Sequence, residues 1–317
     1  MTAVVGGFVT SHATALVEPS EWDEFRLMVR GMYKQRYGSM PPEHPGVAAE
    51  SREDNERRYA RVRETQTFVA DRIKAARPDA VILLGNDQNE NFKTSAVPQF
   101  AIYTGAEALV HDWINKSERS YRAAPDIAEA LLAGCVERGF DVVRADSFEG
   151  GKLLAHAHAQ VYSRFLSDAD VPVVPVFVNA ITPPLPSARR CFEFGRAIGE
   201  AIEARLPGKR VIIGASGGLS HFTAGFPYEA LKVPRSLGTI CAEFDRTLLG
   251  WMEAGDLERV AELSDEEILD NGDVEFRQGI AFLGTLPGGS RPERLVYEPF
   301  YRGLMGFWAG YWDLSRQ

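Results

Sequence analysis

The chain has 317 residues, enough to bury a sizeable core in one large α/β domain or two average ones. Its 44 Asp and Glu outnumber its 35 Lys and Arg, and no basic block or basic–aromatic interleaving occurs, which argues against a nucleic-acid partner. Cys135, Cys191 and Cys241 are far apart, without zinc spacing or a disulfide framework, and no run reaches the ~18 apolar residues of a membrane span, so a cytoplasmic protein is expected.

In chain order, residues 3–9 (AVVGGFV) predict a strand with Thr10-Ser11-His12 at its carboxyl end. Glu21–Tyr37 has enough helix formers for a short helix, and the turn-rich MPPEHPG loop holds His44. Ser51–Arg77 predicts a long charged helix, with Tyr59, Val62, Val69, Ile73 and Ala76 on one face. Asp79–Leu84 predicts a second strand, followed by the polar turn GNDQNENF at 85–92. A short strand at Phe100–Tyr103, an amphipathic helix at Pro125–Arg138 and a strand at Phe140–Arg144 come next. The segment Leu153–Leu166 contains His156 and His158; on a helix residues two apart diverge, so one can enter a site without the other.

Val171–Asn179 is strongly apolar but holds prolines, which predicts an edge or irregular strand. A helix follows at Ala188–Arg205, then a buried strand at Val211–Gly214. The run from Gly214 to Gly218 has little side-chain bulk, so Gly217 and Gly218 allow close backbone approach to a ligand just before His221. Leu237–Met252 predicts a helix carrying Glu243 among apolar residues, where a carboxylate is costly unless paired or bound to a cation. Leu257–Leu269 is acidic and helical, and a further helix starts in NGDVEFRQG with Asn271 or Asp273 as cap. The aromatic-rich end (Tyr297, Phe300, Tyr301, Phe307, Trp308, Tyr311, Trp312) fits core, a subunit interface or a pocket wall, core being the commonest. Alternating strands and helices predict a single doubly wound α/β domain over 1–317, with a central, mostly parallel or mixed sheet flanked by helices.

Ligands of open α/β sheets bind beyond the carboxyl ends of the strands. The polar residues expected there are His12, Gln88 and His221, with His44, His158 and Glu243 as further candidates. Two histidines and a carboxylate form the facial triad of non-haem Fe(II), which leaves open positions for substrate and O2. Additional histidines would serve as acids or bases. Zinc hydrolysis accepts the same donors.

Several pieces carry a family resemblance. They are T-S-H at 10–12, G-x-x-G-G-L-S-H ending at His221, A-E-F-D at 242–245, VILLGNDQNENF, the His158-Ala159 pair, and VPVVPVFVN ahead of a proline-rich turn and ARRCFEFGRAI. Together they make the chain resemble the class III extradiol ring-cleavage dioxygenases, relatives of the protocatechuate 4,5-dioxygenase β subunit and of gallate dioxygenases. The resemblance implies Fe(II), O2 and a small catechol-, gallate- or aminophenol-type substrate, in a homo-oligomer, most simply a dimer. It further implies His12 and Glu243 as metal ligands, His221 as acid/base, and His158 against the substrate or oxygen intermediate. Where the family carries histidine in an Asn-Asp-His turn, this chain carries Gln88. Either Gln88 coordinates through its carbonyl, or His44 swings in to restore the second imidazole, or no catalytic iron is bound; the His44 solution is preferred, leaving Gln88, Gly217 and Gly218 to line the substrate. A metal-dependent hydrolase or lyase, or a metal-free binding protein of the same superfamily, are the alternatives.

Overall fold

A computed structural model describes residues 3–93, 95–112, 116–148, 153–167, 169–222 and 236–315. Ten strands are present among these residues: β1 Val4–Thr10, β2 Ala80–Gly85, β3 Phe100–Tyr103, β4 Glu107–Asp112, β5 Ser117–Arg122, β6 Val143–Ala145, β7 Val173–Val178, β8 Val211–Ser216, β9 Arg294–Phe300 and β10 Met305–Asp313. The helices are α1 Trp22–Tyr37, α2 Pro45–Ala49, α3 Arg52–Ala76, α4 Pro125–Glu137, α5 His156–Phe165, α6 Ala188–Arg205, α7 Ala242–Ala254, α8 Asp265–Asn271 and α9 Phe276–Thr285.

Eight strands form one sheet in the order β6-β3-β7-β2-β8-β1-β10-β9. Its centre, β7-β2-β8-β1, is parallel, so the carboxyl ends of these four strands open at one edge. They read as near-continuous Val, Ile and Leu because both faces are covered. Residues of α4, α6 and α9 bury their apolar faces in one core, and those of α3 and α5 in the other. The sequence reading of an α/β fold with a mixed central sheet is therefore borne out. Among the described residues no helix is long and apolar enough to cross a membrane.

β7 is a central strand, not the expected edge. Val81 N–H donates to Pro172 O, whereas Val173 O accepts from Ala124 N–H, so odd-numbered residues of β7 turn their polar groups away from β2. Pro175 therefore aims its nitrogen toward the β3 side, just past Val176, where the ladder with β3 ends, and no bond is lost. The β4–β5 hairpin was not foreseen; only alternate residues of β4 are buried. The aromatic-rich end becomes β9 and β10, and Trp308 and Trp312 of β10 join the core.

The crossing of α6 and α9 is set by missing side chains. A Cβ on Gly195 would lie 1.8 Å from Ala281 O, and one on Gly284 would lie 2.1 Å from Phe192 O. The two backbones thus touch, and this contact fixes where α9 begins. Gly195→Ala should lower stability by about 3 kcal/mol or more, because backbone rather than a flexible side chain must yield; a urea midpoint matching that of the parent protein would refute this packing.

Candidate active site

At the carboxyl edge of the parallel strands, four polar groups converge. β1 runs into His12, which is 1% exposed and lies before a 3-10 turn at Ala13–Leu16. β8 leads through Gly217-Gly218-Leu219-Ser220 to His221, 2% exposed. β2 delivers Asn86 and Gln88. Between them stands Glu275, 1% exposed, the N-cap residue of α9. That helix is buried along its whole length, so its first residue cannot turn its side chain to water.

The two carboxylate oxygens of Glu275 have different surroundings. Oε1 accepts from Asn86 Nδ2 at 2.9 Å and from Gln88 Nε2 at 2.8 Å. Oε2 is buried and has no hydrogen-bond donor among the described residues. Two imidazoles face it instead: His221 Nε2 at 3.4 Å and His12 Nε2 at 3.7 Å. Each ring is held from behind. His221 Nδ1–H donates to Leu219 O at 2.7 Å, and His12 Nδ1 lies 3.0 Å from Ser216 Oγ.

Burial dominates the proton affinity of His12 and drops it to about 3, despite attraction from Glu275, so this ring is neutral at ordinary pH. Burial also opposes charge on His221, but the Glu275 carboxylate outweighs it and raises the imidazole above its usual range. Burial would raise Glu275, yet the flanking imidazoles hold it well below the carboxylate range, so it is an anion.

A third histidine completes the cluster. His156 opens α5 with its ring edge-on to His12, centroids 4.8 Å apart. Its Nδ1–H donates to Glu90 Oε2 at 2.8 Å, while Glu90 Oε1 accepts the His156 backbone N–H at 3.1 Å. Glu90 thus bonds both the first helical N–H and the ring; burial opposes, but this hydrogen bond raises the proton affinity of His156 above its ordinary value.

Several sequence expectations need correcting. Glu243 is exposed on α7 and lines an open groove of about 540 Å³ with Thr239, Cys241 and Asn271, so it cannot serve His12 and His221. Two residues on, Asp245 takes the buried face of that helix. His44 does not swing in: it caps α2 by accepting from Gly46 N–H at 3.1 Å and stacks on Tyr301, ring centroids 4.5 Å apart. His158 is bonded to the sheet. Its Nε2–H donates to Val176 O at 3.1 Å, and its ring fills the place of a Gly85 side chain. Gly217 and Gly218 approach protein rather than ligand; a Cβ on Gly217 would meet Glu275 O at 2.7 Å, and one on Gly218 would meet Met305 Sδ at 2.2 Å. Gln88 is at the cluster, with its amide on Glu275. Glu275 itself was passed over because D-V-E-F reads as a helix cap; the missed signal is the apolar run Gly279–Gly284 in the helix it precedes.

Comparison with known proteins follows this geometry. Residues 44–307 match the family described as the catalytic LigB subunit of aromatic ring-opening dioxygenase. The chain belongs to this family. Among curated members, one from Burkholderia vietnamiensis named 2,3-dihydroxyphenylpropionate/2,3-dihydroxicinnamic acid 1,2-dioxygenase is 29% identical over 80% of this chain and 88% of its own length. One of the same name from Paraburkholderia phymatum is 33% identical over 51% of this chain, a match spanning 49% of that protein. A crystal structure of an uncharacterized protein from Escherichia coli K12 shares the fold, with a TM-score of 0.51 at 14% identity, covering 97% of this chain and 99% of that one. Membership of the ring-opening dioxygenase family agrees with the resemblance carried by T-S-H and G-G-L-S-H.

One consequence concerns acid stability. Burial lowers His158 to about 4, so the unfolded chain binds a proton there that the folded chain refuses. Stability is lost as pH falls from about 6.5 toward 4 and the loss levels off below, by about 3 kcal/mol in all. His158→Gln should flatten the pH dependence of the urea unfolding free energy by about that amount over this window; an unchanged slope would contradict the neutral assignment.

Proposed function

We propose that the chain is an Fe(II)-dependent extradiol dioxygenase that opens a catechol-type ring, taking O2 and a ring that bears two adjacent hydroxyls. The observation that carries this reading is Glu275 Oε2, buried without a donor among the described residues and faced by two imidazole nitrogens at 3.4 and 3.7 Å. Leaving such an atom unsatisfied costs several kcal/mol in a dry interior, roughly what a cation or proton there would recover.

Two donors of the cluster are open to an iron ion, although no group of three or more His, Cys, Asp or Glu able to hold a metal occurs among the described residues. His12 Nε2 and Glu275 Oε2 would hold it, since their other polar atoms are already engaged by Ser216, Asn86 and Gln88. Gln88 stands where the resemblance implies a second histidine and offers only an amide, so the site is weaker than one with two imidazole ligands. Bound Fe(II) supplies the seat for the two ring oxygens and O2 and the path for electrons between them.

The remaining steps belong to the chain. His221 is held with its proton on Nδ1 toward Leu219 O, which leaves Nε2 to take a hydroxyl proton from substrate. Glu275 raises the proton affinity of that ring, and His221 would act as base with the Glu275 charge offset by the metal. His156, whose proton affinity Glu90 raises, is the proposed proton source beside His12. The relatives named for dihydroxyphenylpropionate and dihydroxycinnamic acid support a catechol carrying an acidic side arm as the first substrate class to test.

Protein reconstituted anaerobically with Fe(II) should consume equimolar O2 and diol when mixed with a panel of substituted catechols; no uptake across catechols, gallates and aminophenols would overturn the reading. Glu275→Gln should abolish uptake and weaken Fe(II) binding by on the order of 100-fold, whereas Glu243→Gln should match the parent. Gln88→His should tighten Fe(II) binding at least about tenfold in an anaerobic titration; unchanged affinity would place Gln88 outside the ion's reach.

A further inference from the structure

A small cavity opens one residue beyond His12. It encloses about 180 Å³ between the turn that follows β1, helices α3 and α5, and Lys116 in the β4–β5 turn. At ~30 Å³ per water this is room for roughly six waters, or for a carboxylate on a short carbon arm, and too little for a nucleotide. α5 links the cavity to the metal-side cluster. His156, Gln160 and Arg164 recur at every fourth position and so share one face of the helix. His156 sets its ring against His12, and at roughly 1.5 Å per residue Gln160 and Arg164 stand about 6 and 12 Å further along.

Gln160 is 4% exposed, and its amide has two different ends. Oε1 accepts Ala13 N–H at 2.6 Å and so holds Ala13 at φ 54°, a left-handed conformation uncommon for a residue with a side chain. Nε2 has no acceptor among the described residues, yet it is not sealed in protein, so this is the group that opens on the cavity. A buried amide N–H so placed calls for an acceptor. The charges around it call for an anion. Arg63 is already bonded to Glu18, and Glu21 Oε2 accepts Glu18 N–H at 3.3 Å, both carboxylates being exposed. Arg164, half-buried, and Lys116, exposed, have no hydrogen bond or ion pair among the described residues. With Arg63 matched by Glu18, these two cations face the one remaining carboxylate of the wall, Glu21.

We propose that this cavity is a carboxylate subsite, in which Arg164 and Lys116 supply the charge and Gln160 Nε2 donates the hydrogen bond. The acid is either the side arm of the ring substrate or a separate small molecule. The first source rests on the dioxygenase reading, whereas the subsite itself rests on the cavity and its walls alone. Because Gln160 also holds Ala13, an acid on Nε2 acts on the residue next to His12.

Metal-free protein titrated with propionate at low salt, and followed through the Arg164 Nε–H resonance, tests the subsite without any turnover. A saturable shift is expected with propionate, and none with propionamide or with sodium chloride at the same concentration. Gln160→Glu keeps an acceptor for Ala13 N–H and puts a carboxylate oxygen where Nε2 stood. Lys116→Glu reverses an exposed charge without touching the core. Each should weaken propionate binding at least about tenfold, the size of one charge-assisted hydrogen bond. No saturable shift in the parent, an equal shift from propionamide or chloride, or parent-like affinity in both variants would overturn the proposal. Iron-loaded protein then separates the two sources. If the acid is the substrate's own arm, kcat/KM for a catechol with a propionate arm, taken relative to plain catechol, falls about tenfold in Lys116→Glu. If the acid is a separate molecule, that ratio holds, and added propionate changes catechol turnover by the parent without competing with the catechol. Parent protein without turnover on any diol would count against the dioxygenase reading, while the metal-free titration would still decide the subsite.

Discussion

The structure turns on one buried carboxylate whose two oxygens are treated unequally. Glu275 Oε1 is satisfied by two side-chain amides, and Oε2 is left to two imidazoles that stand too far for good hydrogen bonds. An interior anion in this condition polarises everything near it. It raises the proton affinity of His221, while burial keeps His12 neutral and available through Nε2. Two chemically similar rings beside one carboxylate thus differ in proton affinity, lowered in His12 by burial and raised in His221 by Glu275.

Holding such a group in place takes much of the fold. The parallel order β7-β2-β8-β1 brings the ends of β1, β2 and β8 to one edge, and with them His12, Asn86, Gln88 and His221. Glu275 arrives from another direction, at the start of α9, and the backbone contact between α6 and α9 at Gly195 and Gly284 sets its depth. Gly217 then lets β8's exit pass against Glu275 itself. The glycines near the centre thus serve close packing of the protein upon itself, which is why they attracted a ligand-binding reading from sequence.

Much of the architecture was legible because fully buried parallel strands announce themselves as apolar runs, and histidines at their ends stand out against them. Pro175 misled, since sequence does not reveal that the β3–β7 ladder ends at Val176, one residue past it. The carboxylate misled more seriously. Glu243 and Asp245 lie in the same short motif, and two positions rotate a helical side chain by roughly 200°, enough to exchange solvent for core. On α7 it is Asp245, not Glu243, that is buried, and the carboxylate facing His12 and His221 comes from Glu275 instead. His156 and His158 posed the same question on α5, and the fold answers it through Glu90, which anchors the first ring at the helix start. His44 failed for a local reason: a prolyl turn and Tyr301 offered it a cap and a stacking partner where it stood.

The central claim is that a cation belongs between His12 and Glu275, with His221 beside it. Crystals soaked anaerobically with Fe(II) and measured at the iron absorption edge test it most directly. The account predicts a single strong anomalous peak within about 2.0–2.3 Å of His12 Nε2 and Glu275 Oε2. A peak at Glu243 or His44, or none in fully soaked crystals, would contradict it.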